Sequence, residues 1–249
     1  MSGPLKPATS PTYRPVMNSF QHFDINVVGR DFAVGDIHGH FARLQGVLDE
    51  IGFDKVIDRL FCTGNLIDRG PQSHLSVEWL DQPWFFSVQG SHEALAIEHV
   101  EGQPLDYQKY VANGASWFLE LSDEKQLHFA ERFFRMPLAL EVDTADGLIG
   151  IVHACCPLPT WDLMSAVVRE ELPGLLQLRK SCLWSHIRLR SGDTSGIPDL
   201  RALIVGHTLV RQPEVLGNVF HIDTGGWQAD GSGYFTILEL DTLYMHERK

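Results

Sequence analysis

The sequence is poor in the features that mark secreted and membrane proteins. Only four of its 249 residues are cysteines, and no two of them form a CxxC pair. Buried, reduced thiols are therefore expected instead of a disulfide framework. No apolar run approaches the ~20 residues of a membrane span, and residues 1–19 contain no apolar segment of the kind found in secretory signals. These absences predict a cytoplasmic protein.

Positive charge is also scarce. The chain has 20 Lys and Arg residues against 32 Asp and Glu residues, which gives a formal charge of −12. An acidic surface repels nucleic-acid phosphates and anionic lipids, so neither nucleic acid nor a membrane is expected as the main partner. Clustered acids are compatible with a bound cation. The content of hydrophobic residues, 44%, is ordinary for a globular protein.

The pattern of apolar residues predicts one α/β domain. We assign residues 1–20 to a flexible leader and residues 21–249 to a single domain, with no internal repeat. The predicted strands are residues 32–34, 59–62, 84–88, 138–142, 148–152, 202–205, 219–222 and 234–240. The predicted helices are residues 41–51, residues 75–80 and most of residues 92–134, with breaks near 102–104 and 113–114.

The first polar cluster, GDIHG at residues 35–39, directly follows the predicted strand 32–34. Asp36 and His38 are two positions apart and are flanked by glycines. A carboxylate and an imidazole can therefore turn toward one point beyond the strand end. Such a pair suits a divalent metal ion, but short Asp/His patterns also occur by chance.

Four further polar clusters follow apolar runs. They are GNLIDRG at residues 64–70, GSHE at 90–93, HAC at 153–155 and GHT at 206–208. Ligands in α/β domains gather at the loops beyond strand ends. In this order, the five clusters resemble the phosphoprotein phosphatase branch of the calcineurin-like metallophosphoesterases, which includes bacteriophage lambda phosphatase and related bacterial enzymes. The resemblance extends over residues 32–226.

The family pattern is GDxHG, GDxxDRG, GNHE, a later histidine in an HA(G) context and a GH(T) histidine. It implies an α/β fold in which two mixed β-sheets form a sandwich flanked by helices. It also implies two divalent ions that polarise phosphate oxygens and activate a water molecule. The residues at the metal-ligand positions are Asp36 and His38 for the first ion, His153, His207 and Ser91 for the second, and Asn65 as the bridge.

The same resemblance assigns the catalytic and phosphate-binding positions. His92 would be the general acid that protonates the leaving oxygen, oriented by Asp68. Arg69 would bind phosphate with its planar fork of donors. A second phosphate-binding arginine of the family corresponds to Arg188, with His186 as the alternative.

Two positions depart from the family pattern. The bridging carboxylate is replaced by the neutral amide of Asn65, so one negative charge is missing from the place where two cations repel most. Ser91 stands where the family has asparagine, and it offers a short hydroxyl in place of a carbonyl oxygen. Both changes affect the second metal or the bridge, whereas Asp36 and His38 keep the family residues. We therefore expect weaker binding of at least one ion.

The sequence predicts a metal-dependent phosphomonoester hydrolase of the serine/threonine protein phosphatase type, with weakened or altered activity. Its substrate would be a phosphorylated protein or a small phosphoester. One or two ions per chain are expected, with Mn²⁺ preferred over Fe or Zn²⁺. The alternatives are an inactive, phosphatase-like protein that binds or regulates a partner, and a phosphodiesterase or nucleotide phosphatase on the same fold. The two departures arise either by natural divergence or by engineered inactivation.

Overall fold

Short apolar segments form eleven strands in the computed structural model, which describes residues 19–246. Two of them, residues 31–34 and 202–205, are buried along their whole length, as strands covered on both faces are. The strands are β1 (Phe20–Phe23), β2 (Asp31–Val34), β3 (Arg59–Cys62), β4 (Phe85–Ser87), β5 (Ala139–Thr144), β6 (Gly147–Val152), β7 (Ala202–Val205), β8 (Glu214–Leu216), β9 (Val219–His221), β10 (Ile237–Glu239) and β11 (Tyr244–His246).

Nine α-helices connect or cover these strands within residues 19–246. They are α1 (Phe41–Glu50), α2 (Ser76–Leu80), α3 (Ser91–Val100), α4 (Tyr107–Ala112), α5 (Ser116–Leu119), α6 (Asp123–Phe134), α7 (Trp161–Arg169), α8 (Leu175–Trp184) and α9 (Ile187–Ser191). Side-chain oxygens cap several of them, as Ser122 does by accepting a hydrogen bond from the N–H of Lys125 at the start of α6. None of the helices between residues 19 and 246 has the length and apolar character that a membrane crossing requires.

The strands form two mixed sheets. One has five strands in the order β11-β10-β2-β3-β4, and the other has six in the order β1-β5-β6-β7-β9-β8. In the first sheet β2, β3 and β4 run parallel, with Phe32 opposite Leu60 and Phe61 opposite Phe86, and β10 is antiparallel to β2. In the second sheet β5 and β6 form an antiparallel pair, and β6, β7 and β9 run parallel.

The core lies in three layers. Between the sheets, side chains such as Phe61, Leu140, Ile151, Ile204 and Leu238 form one apolar cluster. Helices α1, α3 and α6 pack a second cluster against the outer face of the five-stranded sheet, and α7 and α8 pack a third against the six-stranded sheet. The predicted sandwich of two mixed sheets flanked by helices is therefore confirmed.

Most of the predicted elements are present, but helices α7, α8 and α9 were not among the predicted helices, and the other differences concern short or edge segments. Strand β10 is shorter than the predicted 234–240, and β4 is shorter than 84–88. Strands β8 and β11 were not expected, because both are three residues long and largely exposed. Of the predicted leader, residues 1–18 lie outside the described residues. Phe20 is buried and pairs with Ala139, so β1 begins inside the predicted leader.

Five loops meet at one edge of the sandwich. They follow the carboxyl ends of β2, β3 and β4 in one sheet and of β6 and β7 in the other. Backbone contacts join the loops: the N–H groups of Ile37 and His38 donate to the carbonyl of Asn65, and Gly206 N–H donates to the carbonyl of His153. Four of the five polar clusters of the sequence are in these loops, and the fifth, GSHE, spans the end of the loop after β4 and the first turn of α3.

Candidate metal centre

Backbone strain is concentrated in these loops. Seven non-glycine residues among residues 19–246 have positive φ, and five of them are predicted site residues: His38, Asn65, Asp68, Arg69 and His207. Each such conformation costs about 1–3 kcal/mol for a residue with a side chain and persists only where the surroundings enforce it. The fold therefore holds these five residues in place against their local preference.

Asp36 lies at the centre of the cluster and is almost fully buried. Its Oδ1 accepts hydrogen bonds from the N–H of His207 at 3.0 Å and from Thr63 Oγ1 at 3.4 Å, and its Oδ2 accepts from Asn65 Nδ2 at 2.9 Å. Burial raises the pKa of Asp36 well above its usual value, and the nearby carboxylate of Asp223 raises it further. A buried pair of acids is most stable with a cation beside it.

His38 and His153 are oriented in the same way. Nδ1 of His38 is 2.7 Å from the carbonyl of Ile67, and Nδ1 of His153 is 2.7 Å from the carbonyl of Thr63. Since a carbonyl only accepts, each Nδ1 carries the proton and each Nε2 keeps a free lone pair. Burial, followed by nearby histidines, holds the pKa of both rings well below the usual range. Both are therefore neutral imidazoles, the form that binds metal ions.

The free lone pairs point into the cluster. His38 Nε2 is buried without a hydrogen-bond partner and lies 3.7 Å from Asp36 Oδ2. His153 Nε2 is 3.1 Å from His207 Nδ1 and 3.4 Å from Ser91 Oγ. Burial lowers the pKa of His207 to about 3, so this ring is neutral as well. The six predicted metal-ligand positions thus form a continuous series of contacts at the sheet edge, which runs from His38 through Asp36, Asn65, Ser91 and His153 to His207.

Asn65 is part of the cluster, and its hydrogen bonds fix the orientation of its side-chain amide. Its Oδ1 accepts hydrogen bonds from the N–H of His92 at 2.9 Å and from Ser91 Oγ at 3.3 Å. The backbone N–H of His92 is a donor only, which fixes the oxygen on that side and the nitrogen on the other. The Asn65 NH₂ group therefore faces Asp36, and an amide nitrogen is a poor metal ligand.

His92 and Asp68 form a buried pair. His92 Nδ1 is 2.6 Å from Asp68 Oδ2, and Asp68 Oδ1 accepts a hydrogen bond from Trp117 Nε1 at 2.7 Å. The carboxylate is thus held on both oxygens, and it fixes the orientation of the imidazole. The ring of His92 lies beside that of His38, with centroids 4.6 Å apart.

Comparison with known proteins identifies the fold family. The family model of the calcineurin-like phosphoesterases matches residues 32–211, the segment that contains all five loops. The chain belongs to this family. Its members are metallophosphoesterases, which use divalent metal ions. The arrangement around Asp36 fits such an ion, because buried acids and neutral imidazoles with unprotonated Nε2 atoms are ligands suited to it.

Similar proteins include bacterial phosphatases. The chain is 31% identical to serine/threonine-protein phosphatase 2 of Escherichia coli, over 83% of this chain and 92% of that protein. It is 30% identical to serine/threonine-protein phosphatase 2 of Salmonella typhimurium, over 89% of this chain and the full length of the relative. The fold resembles the crystal structure of a putative diadenosine tetraphosphatase, with a TM-score of 0.65 and 18% identity over 92% of this chain and 96% of that one.

The two arginines predicted to bind phosphate lie in different surroundings. Arg69 extends over the ring of Trp227, with its Cζ 4.2 Å from the ring centroid. Arg188 is buried, and its guanidinium donates to the carbonyl of Asp193 at 2.9 Å and to that of Ser195. His186 lies beside the cluster instead: its ring stacks on His207 with centroids 4.4 Å apart.

Two residues of the cluster were not predicted from sequence. Asp223 is buried near Asp36, and burial raises its pKa to about 6. Trp227 donates from Nε1 to Asp223 Oδ1 at 3.0 Å and lies edge-on to His38, with centroids 5.1 Å apart. The only available signal was the segment 221–225, HIDTG, which resembles a stretch after the GH motif in bacterial members but names no role.

Glu93 holds two of the loops together through hydrogen bonds to their backbone. Its buried carboxylate accepts hydrogen bonds from the N–H groups of Asn65, Leu66 and Gly90, at 3.0, 2.7 and 2.8 Å. Burial raises the pKa of Glu93 above its usual value, while these backbone donors act in the opposite direction. This residue is the last of the GSHE cluster, and it joins the loop after β3 to the start of α3.

Proposed function

We propose that this phosphoesterase hydrolyses phosphomonoesters with a divalent metal ion, at a rate reduced by Asn65. The observation that carries the proposal is the matched orientation of His38 and His153, whose Nδ1–H groups are fixed on backbone carbonyls and whose Nε2 lone pairs face the cluster. Buried histidines held in this way are typical of metal ligands. Phosphorylated serine or threonine in a protein is the preferred substrate, which the similarity to the two bacterial phosphatases supports.

We assign the metal ligands as the sequence predicted. Asp36 and His38 would hold the first ion, and His153, His207 and Ser91 would hold a second. Bound there, the metal would polarise phosphate oxygens and supply an activated water molecule. Mn²⁺ is the preferred ion, with Fe and Zn²⁺ as alternatives, and one or two ions per chain are expected.

The other residues act directly on the substrate. Arg69 presents its N–H donors to the phosphate oxygens. His92 holds a proton for the leaving oxygen, and Asp68 stabilises the protonated ring through the bond at 2.6 Å. His186, which lies against His207, takes the second phosphate-binding position in place of Arg188, because the Arg188 guanidinium donates to backbone carbonyls.

The reduced rate follows from the amide at position 65. Its NH₂ group faces Asp36, so it contributes neither a charge nor a lone pair to the bridge. The loss of one bridging carboxylate weakens metal binding, and each ~1.4 kcal/mol lost in the transition state lowers the rate tenfold. The same hydrogen bond supports the second candidate, an inactive protein that binds or regulates a partner, because it satisfies Asp36 without a metal. For both candidate functions we place the protein in the cytoplasm, because its four cysteines are free and buried.

Hydrolysis assays with Mn²⁺ distinguish the candidates. The native chain should release phosphate slowly from p-nitrophenyl phosphate and from a phosphoserine peptide, and His92→Ala should lose most of its activity on the peptide. Diadenosine tetraphosphate, tested in parallel, measures the nucleotide alternative. If the native chain and His92→Ala have the same background rate on every substrate, the hydrolase proposal is rejected in favour of the binding protein.

A further inference from the structure

We propose that Trp227 is a positioning residue for phosphate: its ring holds the guanidinium of Arg69 at the metal cluster and leaves the N–H donors free. The proposal rests on the proposed function for the role of Arg69, and it adds the residue that sets where this cation lies. Trp227 matches none of the sequence motifs of the site. Trp227 reaches Arg69 because the loop after β9 returns to the same sheet edge as the loop after β3.

The contact between the two side chains is made through the ring face. The Arg69 Cζ lies 4.2 Å from the centroid of Trp227, within the range in which the negative face of an aromatic ring attracts a cation. Among residues 19–246 the Arg69 guanidinium forms no ion pair within 4 Å and no side-chain hydrogen bond. A contact through the face leaves all five N–H donors at the edge of the guanidinium available to an anion. The ring therefore positions Arg69 without using its donors.

Trp227 is itself fixed from two sides. Its Nε1 donates to Asp223 Oδ1 at 3.0 Å, and the same oxygen accepts from the N–H of Gly225 at 3.1 Å. Its ring meets the ring of His38 at an interplanar angle of 76°, with centroids 5.1 Å apart. Since His38 is a predicted metal ligand, Trp227 connects the phosphate-binding cation to the metal cluster.

The backbone alone does not place the guanidinium. Positive φ values fix the main chain at Asp68 and Arg69. Beyond it the Arg69 side chain is exposed and has several freely rotating bonds. Ordering such a side chain on binding costs about 0.5–1.5 kcal/mol, and a ring that orders it beforehand removes part of this cost. We therefore expect Trp227 to affect phosphate affinity through Arg69.

The test is a double-mutant cycle read by phosphate binding. Calorimetry with inorganic phosphate and the Mn²⁺-supplemented protein compares the native chain with Trp227→Leu, Trp227→Phe, Arg69→Ala and the pair Trp227→Leu/Arg69→Ala. Trp227→Leu should weaken binding about three- to tenfold, the range expected for a partly desolvated cation–ring contact. Trp227→Phe keeps a ring face but lacks the Nε1–H bond to Asp223, so its affinity should lie between those of the native chain and Trp227→Leu. In the Arg69→Ala background, Trp227→Leu should have no further effect.

Several results would overturn the proposal. One is a native phosphate affinity in Trp227→Leu. Another is a loss of phosphate affinity on Trp227→Leu that is the same in the native and in the Arg69→Ala background. The third is a native protein that does not bind phosphate at millimolar concentration. If Trp227→Leu lacks the native circular dichroism spectrum, Trp227→Met takes its place in the cycle. The coupling is measured by binding, so it is independent of turnover. An inactive protein with the expected coupling rejects the hydrolase proposal alone, and an active protein without coupling rejects the role of Trp227 alone.

Discussion

The amide nitrogen of Asn65 donates a hydrogen bond to Oδ2 of Asp36 over 2.9 Å. The donor belongs to the position at which the family pattern has the bridging carboxylate. A neutral group that donates to the central carboxylate stabilises the cluster in the absence of a cation, whereas a second carboxylate would repel Asp36 unless a cation lay between them. Position 65 therefore determines how strongly the folded site depends on metal.

Asn65→Asp should increase both the metal dependence and the activity of the protein. Without metal, two carboxylates would face each other in a buried site, so the melting temperature should fall below that of the native chain. Mn²⁺ should raise it by more than in the native chain, because the added charge increases affinity for the ion and binding stabilises the folded state. Turnover of p-nitrophenyl phosphate should rise about tenfold or more.

Thermal unfolding with and without Mn²⁺, together with metal analysis, checks this prediction. Ser91→Asn, alone and combined with Asn65→Asp, separates the bridge from the second ion. Mn²⁺ binding by the unaltered protein as tight as that of Asn65→Asp, or a melting temperature of Asn65→Asp that does not respond to Mn²⁺, would contradict the expected weakness of the bridge.

Asp68→Asn should reduce protonation of the leaving group. The carboxylate accepts from His92 Nδ1 and Trp117 Nε1, one on each oxygen, whereas an amide offers only one acceptor. A protonated His92 would lose its charged partner, so kcat for a phosphoserine peptide should fall by about ten- to a hundredfold. The effect on p-nitrophenyl phosphate should be smaller, since nitrophenolate leaves without a proton.

Trp117→Phe is the comparison variant for Asp68. It removes the hydrogen bond to Oδ1 but keeps the carboxylate and its bond to His92, so its kcat on the peptide should fall less than that of Asp68→Asn. Equal losses on both substrates in Asp68→Asn would mean that this pair supports the loop and does not assist the departure of the leaving oxygen.

The residues of the site could be predicted from sequence wherever a motif is local. Asp36 and His38 are two positions apart, and Asn65, Asp68 and Arg69 lie within five consecutive residues. Each group follows an apolar strand, and the structure places both groups at the expected sheet edge. Trp227 and Asp223 could not be predicted in the same way, because their contacts depend on how the loop after β9 packs against β2 and β3. The two sheets likewise followed from the resemblance, since periodicity alone indicated only α/β.

The direction in which a side chain points was a second feature that could not be predicted from sequence. Arg188 and His186 are two positions apart, and the sequence resemblance favoured Arg188 as the phosphate-binding residue, with His186 as the alternative. In the structure His186 lies just before α9 and stacks on His207, whereas Arg188 is one residue inside the helix and turns toward the carbonyls of Asp193 and Ser195. The first residue of α9 determines which of the two side chains faces the cluster. The apolar pattern of residues 184–191 does not show where this helix begins.

Asp58→Asn should destabilise the protein at neutral pH. Burial raises the pKa of Asp58, but hydrogen bonds from Arg30 and from the N–H of Asp54 outweigh it and hold the pKa below its usual value. The side chain is 1% exposed. Replacing an oxygen by an NH₂ group leaves a donor facing donors, so the free energy of unfolding should fall by about 1–3 kcal/mol.

The pH dependence of this loss has a definite sign. Because the folded-state pKa lies below that of the unfolded chain, the Asp58 carboxylate contributes its stability above an unfolded-state pKa of about 4. That contribution disappears as the pH falls through the folded-state value. Urea unfolding should therefore show a gap between the native chain and Asp58→Asn that is full at pH 7 and shrinks in acid. Asp49→Asn, on the exposed face of α1, is the control and should show no such gap.

Gly114→Ala should disturb the phosphate-binding loop from a position outside the sequence motifs. Gly114 has φ of +98°, and a Cβ added to it would lie 2.2 Å from the backbone nitrogen of Arg69. Gly102, with φ of +70° and no atom within 4 Å of its added Cβ, is the matched control. Both alanine variants incur the ~1 kcal/mol of a left-handed alanine. Only Gly114→Ala must also move the Arg69 backbone, so it should lose at least about 2 kcal/mol of unfolding free energy.

Gly114→Ala should also bind phosphate more weakly, whereas Gly102→Ala should bind phosphate as the native protein does. Equal losses of stability in the two variants, measured by urea unfolding, would mean that the loop yields to the added methyl group without cost.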